Sequence, residues 1–302
     1  MIVRRVVTLL LLLVVAGSLA GCTVNGSITE TADERKTFEQ VGEKPIVIVE
    51  TFNGRISIQA ASDGVVEARV IRRGSGTSTA AAQADLANVA VDFERIGNGV
   101  SGDRITITAR RVDNEQTLGN SGADVEVSVP ALSSVELRTS NGRVESANVE
   151  GSVLVRTSNG PITTRGGLDL DLDTTNGQIS VNNPEGRLRL RTSNGGIDIL
   201  AAELASVSAQ TSNDPINFSG TLAPGVHTFA TSNGDIAISL PGDAAFSFDG
   251  QTSNGVVRTE FLDLETPTDT SITGHTGKLA TPPIAITART SNGDLLVLTQ
   301  RP

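Results

Sequence analysis

The chain has one cysteine, one methionine, two histidines, and no tryptophan or tyrosine in 302 residues. Each scarcity excludes something. A lone cysteine rules out a disulfide within the chain, so an exported form must be held by its core alone. His227 and His275, with no second cysteine, form no His/Cys cluster at metal-ligand spacing. Without Trp or Tyr, aromatic platforms for sugars and the side chains favoured at protein-binding hot spots reduce to eight Phe. No Gly-x-Ser-x-Gly elbow and no Gly-rich phosphate loop with a Lys is present. The sequence therefore assigns no catalytic residue, no metal and no cofactor.

Basic charge is also short. The whole chain carries −10, from 24 Lys and Arg against 34 Asp and Glu. Residues 1–21 contain Arg4 and Arg5 and no acid, so a chain starting at Cys22 carries −12. Bulk charge of this sign argues against nucleic acid or anionic lipid as a partner.

Long apolar runs are absent except at the start. Arg4 and Arg5 precede an apolar run from Val6 to about Ala16, followed by Leu19-Ala20-Gly21-Cys22. A charged start, a short apolar core and small residues before a cut are the marks of a secretory signal. The run falls short of the roughly 20 apolar residues of a membrane span. Its ending resembles the bacterial lipobox, which implies acylation of Cys22 and removal of residues 1–21. Two or three acyl chains would then hold the protein on a membrane, at about 0.8 kcal/mol per buried methylene. The expected location is the cell envelope: the outer face of the cytoplasmic membrane, or an outer membrane where the cell has one. Thr23 stands where an Asp often retains lipoproteins at the inner membrane, and this leans towards the outer one.

What the chain has in abundance is Thr-Ser-Asn-Gly. The Asn falls at Asn141, Asn159, Asn176, Asn194, Asn213, Asn233, Asn254 and Asn292, with an earlier relative at Asn53. The steps between the eight are 18, 17, 18, 19, 20, 21 and 38 residues. The last is read as two steps of 19, with a degenerate coil near Thr273. A period near 20 marks a solenoid, in which each coil buries its apolar side by stacking on its neighbours.

Aliphatics stand four and six before most of these Asn, as in Val135 and Leu137 or Leu188 and Leu190, with charged residues between them. This alternation is a half-buried strand. After the Asn the phase shifts: the residue at plus three is always aliphatic, from Ile56 through Ile197 to Leu295. The chain therefore bends at Asn-Gly, where Gly suits the backbone angles of a corner. A single such element also reads as a two-residue hairpin; a common register with one phase shift favours stacked corners. The expected fold is all-β, a single-stranded right-handed β-solenoid of 18–21-residue coils, in a rod roughly 40 Å long.

Two before each Asn stands a Thr: Thr139, Thr157, Thr174, Thr192, Thr211, Thr231, Thr252 and Thr290, and Thr51 before Asn53. Thr and Asn share the inward parity of the aliphatics, so both are expected to form ladders that join coil to coil. Ice binding by flat Thr rows would need them to face outward.

The chain divides into residues 1–21, a lipoprotein signal; 22–44, a polar, low-order tether; 45–134, strands with a helix-bearing cap; and 135–302, the repeats. Within the cap a short helix is expected from Thr79 to about Ala90, and strands over Val65–Ile71, Val89–Phe93, Ile105–Ala109 and Val125–Val129. Such a cap protects the edge that a solenoid leaves open. Residues 260–283 are expected to shield the other end.

An Asn-Gly strand pair, a helix-bearing insert, Val129-Pro130 and tandem Thr-Ser-Asn-Gly coils resemble the putative-adhesin β-strand-repeat family of bacterial envelope proteins. The resemblance covers about residues 44–298. It implies a β-solenoid at the envelope and carries over no catalytic residue. The expected role is a lipid-anchored, non-catalytic scaffold whose partner is an envelope protein or a surface polymer, besides the membrane reached through Cys22. A regulatory lipoprotein docking on a membrane partner is the alternative. An enzyme acting on polysaccharide would need clustered carboxylates. Asp169, Asp171 and Asp173 share one outward strand face, but Arg156 and Arg191 are expected beside them. His227 occupies an inward slot and is expected in the core; His275 is expected in a turn.

Overall fold

A computed structural model describes residues 27–300, apart from 62–63, 98, 100–101, 113–120, 262–263, 265–268 and 278–282. Cys22 and the signal segment lie outside the described residues. The N-terminal block holds β1 (Ile28–Glu39), β2 (Ile46–Asn53), β3 (Ile56–Ala61), β4 (Val65–Gly76), α1 (Thr79–Ala87), β5 (Val89–Ile96), β6 (Arg104–Arg111) and β7 (Gly122–Pro130). The regular coils follow as β8 (Ser134–Asn141), β9 (Val144–Ala147), β10 (Ser152–Asn159), β11 (Ile162–Arg165), β12 (Asp169–Asp173) and β13 (Ile179–Asn182). They continue as β14 (Glu185–Arg191), β15 (Ile197–Gln210), β16 (Ile216–Leu222), β17 (Gly225–Ala230) and β18 (Ile236–Leu240). The last are β19 (Phe246–Gln251), β20 (Val257–Thr259), β21 (Ser271–His275), β22 (Ile284–Arg289) and β23 (Leu295–Thr299).

Two parallel ladders meet at the Asn-Gly corners. Strands before the corner stack as β6–β2–β8–β10–β12–β14–β15–β17–β22–β19. Strands after it stack as β7–β3–β9–β11–β13–β15–β16–β18–β23–β20. The long β15 serves both ladders, its first half pairing with β13 and its second with β14. Ten levels result, and nine steps of about 4.8 Å give a stack of about 43 Å.

The alternation seen in the sequence is the reason for this stacking. The plus-three residues form one in-register column, Ile56, Val144, Ile162, Ile179, Ile197, Ile216, Ile236, Leu295 and Val257, all buried. On the other ladder Leu137, Val155, Leu172, Leu190, Ala209, Phe229 and Ala288 stack likewise. Phe229 lies between two alanines, and its ring meets Phe218 edge to face at 5.6 Å. Small neighbours thus make room for the one large side chain of that column.

The order in space departs from the order in sequence at both ends. The Asn53 coil lies beneath β6 and β7, which the chain forms later. The final coil, β22 and β23, inserts between β17/β18 and β19/β20. The 38-residue step is therefore a crossing of the stack. No coil stands near Thr273; β21 runs antiparallel to β19 and covers its edge, and His275 ends that strand instead of forming a turn.

The tether is also corrected. Residues 28–39 form β1, paired along its whole length with β4, which in turn runs antiparallel to β7. Its sequence hides this, because Glu30, Asp33, Glu34, Arg35 and Lys36 replace the usual aliphatics; such charges suit an edge strand that must not pair further. Arg69 to Asp33 at 2.7 Å and Arg72 to Glu34 at 2.6 Å hold β1 to β4. α1 is shorter than expected. Its N-cap Ser78 accepts a bond from the Ala81 N–H at 3.2 Å.

A second corner follows seven residues after Asn141, Asn159, Asn176 and Asn194. Asn148, Gly166, Asn183 and Ala201 occupy it with φ of 58°, 73°, 51° and 52°. Asn and Gly tolerate this left-handed region; alanine does so at a cost of about 1 kcal/mol. Ala201→Gly is therefore expected to stabilise the fold slightly, read as a higher midpoint in urea unfolding. A lower midpoint would contradict that reading.

Candidate functional site

The Thr-Ser-Asn-Gly corners form a single edge running along most of the rod. Each part of the motif has a separate job there. The Thr side chains are buried, and every hydroxyl but that of Thr157 donates to the corner carbonyl of the adjacent coil. Thr139 donates to Gly54 at 3.1 Å, Thr174 to Gly160 at 3.1 Å and Thr192 to Gly177 at 2.9 Å. Thr211, Thr231, Thr290 and Thr252 do the same towards Gly195, Asp214, Gly234 and Gly293, and Thr51 towards Ala123. Thr157 breaks the row, since its buried hydroxyl has no partner.

The eight Asn do not point inward. Each is exposed, because the chain has already begun to turn between the Thr and the Asn and the strand parity ends there. Their amides nonetheless form one ladder. The Nδ2 of Asn159 donates to the Oδ1 of Asn141 at 2.7 Å, and Asn176, Asn194 and Asn213 continue it at 2.7 Å each. Asn233 follows at 3.0 Å, Asn292 joins Asn233 at 2.7 Å, and Asn254 joins Asn292 at 2.8 Å. Asn53 instead donates to the Ser121 carbonyl at 2.7 Å.

The glycine is needed for closeness more than for backbone angle. A Cβ at Gly142, Gly160 or Gly177 would lie 2.0 Å from the corner carbonyl oxygen of the coil below. Asp214 is the one departure, and nothing in the structure explains how its Cβ is accommodated.

The acidic face is neutralised on two of its three members. Asp169 takes a two-pronged bond from Arg187, at 3.0 and 2.8 Å, and Asp171 pairs with Arg156 at 3.0 Å. Asp173 lies in register between Arg156 and Arg191. Arg187 was not singled out by sequence reasoning, although it stands two residues before Arg189 on the same outward face. Further along the same ladder, Glu50, Phe52, Arg110, Arg138 and Arg156 line a shallow groove of about 460 Å³. Its arginines are engaged too: Arg110 with Asp92 at 3.1 Å and Arg138 with Glu50 at 3.2 Å.

His227 is fully buried. The Val207 N–H donates to its Nδ1 at 3.2 Å, so Nε2 carries the hydrogen and donates to the Ala223 carbonyl at 2.9 Å. Burial pushes its pKa down, with the Ala223 bond acting in the opposite sense. An unfolded His titrates near 6.5. The folded ring resists protonation, so its contribution to stability is present above about pH 6.5 and is lost as pH falls below it. Thermal melts at pH 7.5 and 5.5 are expected to show a larger loss for the wild type than for His227→Phe. Equal losses would contradict a buried neutral ring.

Two buried carboxylates in the cap had no sequence signal, Asp85 being an isolated acid in α1 and Asp103 one in the segment before β6. Asp103 accepts from the Gly42 N–H at 3.0 Å, the Gly99 N–H at 3.2 Å and Arg95 at 3.2 Å. Asp85 accepts from the Ser75 N–H at 2.8 Å, from Arg111 at 3.0 Å and from the Ser121 hydroxyl. Burial alone would raise both carboxyls; the donors outweigh it and hold both below the usual range. Both tie loops and α1 to strands. Among the described residues, no three His, Cys, Asp or Glu side chains form a metal-holding group.

A stack of parallel coils with a corner ladder and a helix-bearing end defines a β-solenoid-like strand-repeat protein. The chain belongs to the Toastrack (DUF4097) family, whose model matches residues 40–298. Solved structures similar to it include a putative adhesin from Bacteroides fragilis, 12% identical, TM-score 0.47, covering 91% of this chain and 98% of that one. A putative adhesin from Parabacteroides distasonis is 13% identical, TM-score 0.43, covering 88% and 97%. A putative cell adhesion protein from Clostridium sporogenes is 10% identical, TM-score 0.36, covering 90% and 100%. No curated protein matches the chain.

Proposed function

We propose that this protein is a lipid-anchored, non-catalytic interaction scaffold of the bacterial cell envelope, wound as a right-handed β-solenoid. The observation that carries the reading is the outer surface of the ladders. It repeats level after level as an Asn amide ladder beside paired charges. The most strongly held polar groups, Asp85, Asp103 and His227, are locked in structural bonds. A rigid, periodic, acidic rod suits adhesion to a protein or polymer along its length. The right hand is supported by the strong preference of parallel crossover connections for it.

The partner is a surface protein or polymer, and the anchor is Cys22. Metabolic labelling with an alkyne fatty acid is expected to mark the wild type and to leave Cys22→Ala unmarked. A photo-crosslinker at Ser158, on the exposed corner edge, is expected to capture an envelope component. Labelling of Cys22→Ala, or a wild type without label, would overturn the anchor. Crosslinks confined to soluble cytoplasmic proteins would overturn the location.

A further inference from the structure

The outer face of the strands before the corner carries a charge pattern that is the complement of itself. Asp169, Asp171 and Asp173 stand on β12, and Arg187, Arg189 and Arg191 stand in register beside them on β14. The three acids are half-buried and the three arginines exposed. β12 and β14 are the fifth and sixth of the ten levels, so the boundary between the charges lies at the middle of the stack. Pairing within the chain does not use it up. Arg187 takes Asp169 and Arg156 takes Asp171, which leaves Asp173, Arg189 and Arg191 with no ion pair among the described residues.

A two-fold axis along the strands, between β12 and β14, lays a second copy of this face onto the first. Such a rotation keeps the strand direction and reverses the order of the levels. Asp169, Asp171 and Asp173 then face Arg187, Arg189 and Arg191 of the second copy, and each contact occurs twice. Farther out, Glu50 on the second level faces Arg289 on the ninth. Other charges meet neutral side chains: Arg156 meets Gln210, Arg138 meets Ala230 and Glu136 meets Thr228. At the two ends, Arg104 meets Ser247 and Asp249 meets Thr106. Moving the axis by one level brings Arg138 onto Arg191 in one direction and Arg156 onto Arg289 in the other. Running it through β12 or β14 sets each charged row on itself. The match therefore belongs to one register, the one with the greatest overlap.

We propose that this face binds a second copy of the chain, giving a two-fold dimer of antiparallel rods. Ten levels over about 43 Å, by six residues of strand over about 20 Å, make a face of about 860 Å². A standard stable interface covers about 800 Å² on each partner. Along one rod the exposed pairs are screened by water and contribute little. Between two faces they are shielded, and complementary charge fixes partner and register. Because strand direction is kept, both Asn edges open on the same side of the dimer. The inference goes beyond the scaffold reading and needs neither the lipid anchor nor an outside partner.

The test is sedimentation velocity of the mature chain carrying Cys22→Ser, which has no thiol. The wild-type face is expected to give a dimer at low ionic strength that dissociates as salt rises to about 0.5 M. Asp173→Arg sets Arg against Arg191 of the other copy, and Arg191→Glu sets Glu against Asp173. Each is expected to raise the dimer dissociation constant more than about tenfold. Mixed in equal amounts, the two variants oppose unlike charges at both sites, and the dimer is expected to return; its return also shows that both are folded. A dimer indifferent to salt, or one that neither substitution weakens, overturns the inference. A wild type that stays monomeric overturns it too, and leaves this face to the outside partner sought by crosslinking, with the scaffold reading intact.

Discussion

Ile197→Asp is expected to abolish the cooperative fold. Ile197 is fully buried in the plus-three column, with Ile179 on one side and Ile216 on the other. No buried cation or donor is available to a carboxylate in that column. An unpaired buried charge costs several kcal/mol, and losses above about 4 kcal/mol mark such mechanisms. Domains of ordinary stability have about 5–15 kcal/mol in total. In a solenoid the damage also spreads, because each level is stabilised by its neighbours. The neighbouring Asp198 faces outward and bonds Gln178 and Asn217. Asp198→Asn is the matched control and is expected to change the urea midpoint little. An Ile197→Asp protein that melts like the wild type would remove the inward assignment of the whole column.

Gly195→Ala is expected to cost about 3 kcal/mol, in the range of severe overpacking. Its Cβ would lie 2.1 Å from the Gly177 carbonyl oxygen and 2.4 Å from the Gly177 carbonyl carbon. Both are backbone atoms of a hydrogen-bonded ladder and cannot step aside. That same carbonyl also accepts the Thr192 hydroxyl at 2.9 Å, so moving it disturbs the neighbouring tie. Gly196 gives the control within the same corner. A Cβ there would meet the Pro215 carbonyl oxygen at 3.3 Å, a contact that a shift of a few tenths of an ångström relieves. Neither glycine has a left-handed φ, so backbone angle is not the variable. Urea unfolding of the two variants is expected to separate them clearly. Equal midpoints would mean that the corner glycines serve conformation and not close approach.

The parts of this fold legible in the sequence were those with a period. Val135 and Leu137, repeated as Leu188 and Leu190, show their inward face by alternation, and the plus-three aliphatics show the bend. The inward Thr follows from the same parity. Asn141 and its relatives escaped that logic, because parity holds only while the strand continues, and the Asn stands past its end. Glycine was assigned to the corner for its angles. The closer reason, a carbonyl 2.0 Å from any Cβ, depends on the coil beneath and is not visible within one repeat. The crossing of the last coil was hidden for a different reason. Spacing along a chain counts coils without ordering them, and 38 residues suit either a missing coil or a passage across the stack. β1 was missed because edge strands replace apolar residues with charge. Asp85 and Asp103 were missed because nothing periodic surrounds them.

The central claim is that stacking order places the Asn292 coil between those of Asn233 and Asn254. The backbone N–H of Asn292 donates to Ser232 at 2.9 Å, and that of Asn254 donates to Ser291 at 2.8 Å. Ser232, Ser253 and Ser291 are all exposed. The decisive measurement is disulfide formation in two paired-cysteine variants of the mature chain carrying Cys22→Ser. Neighbouring strands stand within the reach of a disulfide, whereas strands two levels apart, at about 9.6 Å, do not. Ser232→Cys with Ser291→Cys is expected to close, and Ser232→Cys with Ser253→Cys to remain reduced. The opposite result would mean that the coils follow one another in chain order, and the account of the C-terminal crossing would be wrong.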